Sequence, residues 1–250
     1  MALTDGQLDN IVASWNEYVS KFLGGIDSIA LLGKKNLSMY MALGVIYPEG
    51  LAERLVNDYV SSSIENTMGH LYELVMAELG PVKVSNAQKK QSGYVGLDFV
   101  QVTPTEIRLV DLAAAANTKN GGARTKSRQD LTADAAFWQE QAENETNDNP
   151  MAQKGKSIVR IWAVGRGTPS HTSLDEILRL RGDAMWEYFG AGPDCLARIG
   201  EALLRNPVNG AAFHGAVGAA RTRLVDFLQL KGFADADGEL DWPALLPAYP

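Results

Sequence analysis

Hydrophobic residues recur at helical spacing over the first 80 residues of the chain. Asp5 can cap a helix that ends at Gly24-Gly25. Its apolar positions fall close to a 3.6-residue period, at Leu8, Ile11, Val12, Trp15, Val19 and Phe22. Another helical stretch is predicted from about Leu51 to Leu79, where Gly80-Pro81 forms a stop. The pattern therefore predicts a helical N-terminal part over residues 1–60.

The pattern changes after residue 80, where short apolar runs favour strands. Residues 93–113 are rich in Val, Leu, Ile and Phe around a central Thr-Pro-Thr-Glu, which is typical of a β-hairpin. A further strand is predicted at 157–164, a helix at 131–141 and a basic loop at 117–128. The sequence is mostly helical from about residue 174. We therefore predict an α/β (α+β) class.

This class implies one helix-rich domain over residues 1–250 around a small mixed central sheet. A core at 61–170 would lie between the helical N-terminal part and a helical C-terminal part at 171–250.

The hairpin has a predicted register with a chemical consequence. If the turn is centred on Pro104-Thr105, apolar residues pair all along the two strands, and Asp98 lies opposite Asp111. The two carboxylates would then be roughly 5 Å apart at Cβ. Like charges at that distance are destabilising, and a divalent cation such as Mg²⁺ is the simplest compensation. The alternative is that one aspartate faces solvent or that the register slips.

Composition sets broader limits. The net charge of -7 argues mildly against a nucleic-acid partner, although basic residues cluster locally within 119–128 and 154–166. The single cysteine, Cys195, excludes an internal disulfide and suits a reducing cytoplasm. No apolar run approaches the ~20 residues of a membrane helix, and the N-terminus lacks a secretion signal. We therefore expect a cytoplasmic protein without a membrane partner.

The hairpin carries a resemblance to a nuclease family. Gly96-Leu-Asp98-Phe-Val, followed by Ile107-Arg-Leu-Val-Asp111-Leu-Ala113, resembles the core of PD-(D/E)xK nucleases. In that core an acid on one strand is followed by an acid, any residue and a lysine on the next strand. Ala113 stands where the lysine belongs, as an inactivating substitution or by natural decay. A tight packing site that admits only small side chains is the alternative explanation of the alanine run 113–116.

Three further segments are similar, in the same order, to type II restriction endonucleases of the PmeII kind. They are 63–73, with Glu65 and Glu73 on an acidic helix; Asn117-Thr-Lys-Asn120, an Asn-rich loop; and 177–190, a Gly-x-x-Phe-Trp segment with Met185 in place of Phe. The resemblance covers about residues 61–201.

This resemblance implies a Mg²⁺-dependent endonuclease that cuts double-stranded DNA at a specific site. Asp98 and Asp111 would hold the metal, and the catalytic set would comprise Asp98, Asp111, the vacant lysine position Ala113, Glu65 and Glu73. A solvated helix face is the simpler explanation of the two glutamates. DNA contacts, to base edges or to phosphates, are expected from two asparagines and four basic residues. They are Asn117, Lys119, Asn120, Arg124, Lys126 and Arg128.

Other functions stay open at this point. The chain could be a non-cutting DNA-binding protein on a nuclease fold, or a helical interaction protein with an incidental hairpin. A nuclease acting on two strands at a palindromic site is expected to be a homodimer. Ala113 would lie opposite Gly96, where the missing side chain leaves open space. We therefore expect Ala113→Lys to convert a binder into a cutter.

Overall fold

The computed structural model describes residues 2–113, 121–143, 149–152, 155–192, 194–207 and 210–249. Within these ranges the helices are α1 (Asp5–Gly24), α2 (Leu37–Ala42), α3 (Pro48–Glu78), α4 (Gly121–Glu143), α5 (Asp183–Tyr188), α6 (Cys195–Arg205), α7 (Gly210–Leu230) and α8 (Trp242–Ala248). The strands are β1 (Val82–Lys83), β2 (Phe99–Val102), β3 (Glu106–Ala113), β4 (Ser157–Val164), β5 (Ser170–Leu174) and β6 (Ile177–Arg181). The predicted mixed class, helix-rich around a small sheet, is confirmed.

Contacts divide the chain into two compact units. Unit 1 comprises residues 1–13 and 68–204, and unit 2 comprises residues 14–67 and 205–250. All six strands belong to unit 1. Unit 2 is helical, and one of its apolar cores joins Leu51 and Leu55 of α3 to Leu224 and Leu228 of α7.

The sheet is mixed, with the strand order β1-β2-β3-β4-β6-β5. Strands β3, β4 and β6 are parallel, whereas β1, β2 and β5 are antiparallel to their neighbours. The carboxyl ends of the three parallel strands therefore lie side by side. Ala113, Val164 and Arg181 are register partners at that edge.

The predicted hairpin register is confirmed along the β2–β3 ladder. Four pairs, from Phe99–Val110 to Val102–Ile107, have the expected partners. The ladder changes at Asp98, whose N–H donates to the carbonyl of Val110 over 2.8 Å although Val110 is already the partner of Phe99. Two residues facing one is the arrangement of a β-bulge. The predicted register places Asp98 opposite Asp111, but Asp98 is not a regular ladder partner of Asp111 in the structure.

Helix α4 connects the parallel strands β3 and β4 and packs on one face of the sheet. Leu131 and Trp138 of α4 are buried in the same core as Leu109 of β3 and Trp162 of β4. The prediction of a loop at 117–128 is therefore wrong for residues 121–128, which form the first two turns of this helix. The glycines at its start disfavour a helix locally, and of residues 122–128 only Ser127 is buried. The helix is held to the sheet from Leu131 onwards, and its first two turns continue that helix.

The C-terminal part, predicted as helical from residue 171, begins instead with two strands. Residues 177–181 alternate with period two, so that Leu178 and Leu180 share one face and Arg179 and Arg181 the other. Gly182, at φ 56°, separates this strand from α5. The segment 177–190 is thus a strand followed by a short helix.

A buried carboxylate fixes α4 to the chain that precedes β2. Asp134 is only 2% exposed and accepts hydrogen bonds from the backbone N–H groups of Val95 and Gly96, at 3.2 and 2.8 Å. Burial raises the pKa of this carboxyl above its ordinary value, and the charge of Asp130 adds to the rise, while the N–H donors oppose it. Ionisation of Asp134 in the folded chain therefore has a desolvation cost, and the backbone hydrogen bonds offset part of that cost.

Asp134→Ala is expected to lower the free energy of unfolding by about 2 kcal/mol, because two N–H donors lose their acceptor. Urea denaturation monitored by circular dichroism measures the change. Glu140→Ala, on the exposed face of the same helix, is the control and should change stability by no more than about 0.5 kcal/mol. Equal stability of both variants would contradict the assigned role of Asp134.

The raised pKa also has a pH signature. Between the ordinary pKa of 3.8 and the raised folded value, the folded chain binds more protons at Asp134 than the unfolded chain does. Stability contributed by this residue therefore falls as pH rises through that window. The difference in unfolding free energy between the parent chain and Asp134→Ala should grow as pH is lowered from 7 towards 4. A difference that is constant with pH would contradict a raised pKa at Asp134.

Candidate functional site

A cavity of about 450 Å³ lies between the sheet and the first turns of α4, and both predicted acids line it. Its charged or polar side chains are Lys89, Asp98, Asp111, Lys126, Ser127 and Asp130. The structure thus brings Asp98 and Asp111 to one site, as the sequence predicts, although the bulge at Asp98 replaces the simple cross-strand pair.

Asp98 is held by two hydrogen-bond donors, one on each carboxylate oxygen. The ammonium of Lys89, which lies in a short 3-10 helix at 88–90, is 2.5 Å from Oδ1. The backbone N–H of Leu112 donates to Oδ2 over 2.8 Å. The second contact links the bulge to β3 and orients the carboxylate at the end of the hairpin.

Asp111 is the more deeply buried of the two acids. It is 3% exposed, and the hydroxyl of Ser127 on α4 donates to its Oδ2. A buried carboxylate requires hydrogen bonds or a positive partner, because desolvation of its charge is costly. Helix α4 therefore supplies part of the environment that allows an acid to lie inside the sheet face.

The repulsion between the acids is relieved here by protein groups. The sequence predicts that a divalent cation compensates the two negative charges. In the structure the Lys89 ammonium lies at Asp98, and the Ser127 hydroxyl donates to Asp111. Lys126 adds a second positive side chain to the cavity lining. The site is consequently a mixed-charge cavity rather than a purely acidic one.

The donor set nevertheless fits Mg²⁺. Among the described residues, no group of three or more His, Cys, Asp or Glu side chains is arranged to hold a metal ion. Mg²⁺ does not need such a group, because it commonly takes one or two carboxylates and completes its shell with water and phosphate oxygens. Asp98 and Asp111 offer such hard oxygens, and a cation, the Lys89 ammonium, already occupies one of them. Metal binding would exchange that ammonium for the ion.

The vacant lysine position is buried beside this site. Ala113 is 5% exposed at the end of β3 and pairs with Val164 of β4. The expected open space above Gly96 is absent, because a Cβ on Gly96 would approach Asp130 Cβ to 2.6 Å and Leu131 N to 3.1 Å. That expectation was wrong because Asp130 and Leu131 of α4 pack against the glycine, a tertiary contact that the hairpin register does not indicate.

The two glutamates of the predicted acidic helix are not equivalent. Glu73 forms an ion pair with Lys83 at 2.6 Å and lies 3.5 Å from His70. It is not among the residues that line the cavity. Glu65 is exposed and belongs to unit 2. Glu73 is therefore not part of the cavity that contains the two aspartates.

The predicted DNA contacts divide into two groups. Asn117, Lys119 and Asn120 lie outside the described residues, as does Lys154. Lys126 lines the cavity, and Arg128 forms an ion pair with Asp175 at 3.0 Å. Arg124 lies between them on the same helix α4. A helix rather than a loop thus carries these three basic residues.

Sequence reasoning missed Lys89, Ser127 and Asp130. Ser127 and Asp130 can be recognised from spacing, because residues 123, 126, 127 and 130 lie on one face of a helix. That signal emerges only once residues 121–130 are recognised as helical. Lys89 has no such signal, because nothing in the spacing of nine residues to Asp98 places the two side chains together.

No family model and no curated protein matches the chain. None of the helices in the described part of the chain is long and apolar enough to span a bilayer. Functional inference therefore depends on the cavity itself.

Substitution of either aspartate is expected to weaken Mg²⁺ binding at least about tenfold, because each removes one charged ligand. Asp98→Asn and Asp111→Asn are measured by isothermal titration calorimetry. Lys89→Met should tighten binding, since the ammonium competes with the ion for Asp98. Glu140→Gln is the control. Unchanged affinity in both Asn variants would contradict a metal site at Asp98 and Asp111.

Proposed function

We propose that the chain has the fold and metal site of a Mg²⁺-dependent endodeoxyribonuclease of the PD-(D/E)xK type, and that Ala113 impairs cleavage in this copy. The observation that carries the proposal is the cavity lined by Asp111 of β3 and by Asp98, which directly precedes β2. Support also comes from Lys126, which gives the same cavity a positive charge suited to a phosphate.

Phosphodiester hydrolysis needs an activated water, stabilisation of the charge that develops on phosphorus, and help for the leaving oxygen. When bound, Mg²⁺ supplies Lewis acidity and lowers the pKa of a coordinated water. Asp98 and Asp111 would hold the ion by their carboxylate oxygens. Ser127 orients Asp111 by its hydrogen bond, and Lys126 attracts the phosphate into the cavity.

The missing lysine explains impairment without loss of binding. An ammonium two residues after Asp111, on the same face of β3, would orient the attacking water and stabilise developing negative charge. Alanine provides neither function. Lys89 does not substitute for it in this arrangement, because its ammonium is engaged with Asp98. Affinity for the duplex depends mainly on contacts to phosphates and bases, which Ala113 leaves intact.

A non-cutting DNA-binding protein is the second candidate, and one observation favours it. Both acids are already satisfied by protein donors, with Lys89 and Leu112 on Asp98 and Ser127 on Asp111. Such a carboxylate pair is stable without metal, so the cavity could serve only to position the duplex.

The proposal extends to assembly and location. Because a duplex has two strands, cleavage of both at a palindromic site is most simply done by a two-fold homodimer. The single buried cysteine, Cys195, suits the reducing cytoplasm.

Ala113→Lys is expected to raise the rate of Mg²⁺-dependent cleavage of plasmid or phage DNA by about a hundredfold or more, since it restores a charge at the reacting phosphate. Agarose gel analysis of cleavage over time measures the gain, and fluorescence anisotropy checks that duplex affinity changes much less.

The matched control is the double variant Ala113→Lys with Asp111→Asn, which keeps the lysine and removes a metal ligand. Cleavage should be lost again. If the folded Ala113→Lys variant binds a defined site tightly yet never cuts it, the nuclease proposal fails and the non-cutting binder replaces it.

A further inference from the structure

The sheet face that carries Asp111 continues into a row of polar side chains on the neighbouring strands. Asp111, Trp162, Arg179 and Thr172 are successive register partners across β3, β4, β6 and β5. The next row towards the carboxyl ends is Ala113, Val164, Arg181 and Ser170. Partners in a ladder project to the same face, so two arginines and two hydroxyls lie together beyond Trp162.

These side chains line a small pocket of about 100 Å³. Trp162, Ser170, Thr172, Arg179 and Arg181 all contribute to its wall. Trp162 is 7% exposed, and its buried Nε1 has no hydrogen-bond partner. The N–H is thus closed to solvent, and Trp162 contributes other atoms of its side chain to the pocket wall.

The arginines of the pocket differ from those around it. Arg160 pairs with Glu176 at 2.6 Å and Arg128 pairs with Asp175, whereas neither Arg179 nor Arg181 has a carboxylate partner among the described residues. Two partly buried guanidinium groups thus lie close together without a counter-anion.

Both guanidinium groups are positioned by packing. The guanidinium carbon of Arg179 lies 4.6 Å from the ring centroid of Trp162, a cation–π contact. The turn at Gly167 packs against Arg181, since a Cβ there would approach Arg181 Cδ to 2.8 Å. Side chains fixed in this way lose little entropy when they bind a ligand.

We propose that this pocket binds the oxyanion of a phosphate group. Every polar side-chain group that faces it can donate: two guanidinium forks and two hydroxyls, and the forks match the geometry of phosphate oxygens. A volume of about 100 Å³ admits a compact tetrahedral anion. The source is either a backbone phosphate of DNA or a soluble phosphate; the first rests on the proposed function.

The location gives the DNA source a structural reason. Trp162 is the register partner of Asp111 on one side and of Arg179 on the other. At a strand spacing of about 4.8 Å, the Arg179 backbone is roughly 10 Å from that of Asp111. A duplex whose one phosphate lies at Asp98 and Asp111 would place a second phosphate over the arginine pair.

The test measures two ligands with the full chain. Inorganic phosphate is titrated by calorimetry at constant ionic strength, and a 20-base-pair duplex is titrated by fluorescence anisotropy at several salt concentrations. Arg179→Gln and Arg181→Gln should each weaken phosphate binding about tenfold or more, and each should lower the salt slope of DNA binding by about 1. Trp162→Phe keeps a smaller aromatic ring for Arg179 and both arginines, so phosphate binding should weaken less than in either arginine variant.

Arg223→Gln, an exposed arginine on α7, is the control for the loss of one charge and should alter phosphate binding little. Circular dichroism establishes that each variant is folded, and Arg181→Lys provides a milder change that keeps the charge and removes the fork.

The outcomes separate this inference from the proposed function. Phosphate binding that the pocket variants weaken, in a chain that binds no DNA, supports the pocket as a receptor for a soluble phosphate and contradicts the proposed function. DNA binding that none of the pocket variants alters, together with no phosphate binding, overturns the pocket and leaves the proposed function standing. Weakening of both ligands by the same variants supports both.

Discussion

The close packing of α4 on the segment before β2 determines the shape of the candidate site. The indole N–H of Trp138 donates to the Gly93 carbonyl over 2.7 Å, and Asp134 accepts from the N–H of Gly96. A Cβ at Gly96 would collide with Asp130, so the helix and the loop approach as closely as only glycine allows. This contact holds the first turns of α4 over the hairpin, and those turns supply Lys126, Ser127 and Asp130 to the cavity lining.

Charge compensation inside the cavity follows from that packing. Helix α4 brings Ser127 to Asp111, and the chain before β2 brings Lys89 to Asp98. Asp111 is buried and Asp98 is partly buried, and each carboxylate has a protein donor. Under the proposed function, Mg²⁺ would compete with the Lys89 ammonium for Asp98, so metal affinity would depend on the lysine as well as on the aspartates.

The mixed sheet joins this site to a second one of opposite character. Strand order places Trp162 between the acid of β3 and the arginines of β6, and its ring is both a core residue and the platform for Arg179. One face of the sheet thus carries a cavity containing carboxylates and a pocket of donors side by side. A polyanion that needs a metal at one phosphate and arginines at another is the ligand that both would suit.

The sequence by itself determined the hairpin, because period-two alternation is local and a one-residue slip would reverse every face. The sequence also predicted the mixed fold class and the presence of Asp98 and Asp111 at one site. Only the tertiary structure decided the rest. Residues 121–128 extend a helix whose buried residues, from Leu131 onwards, pack on the sheet. Lys89 reaches Asp98 from a short 3-10 helix that no periodicity describes. The proximity of Asp111 to Arg179 depends on strand order, which long-range packing fixes and local sequence does not encode.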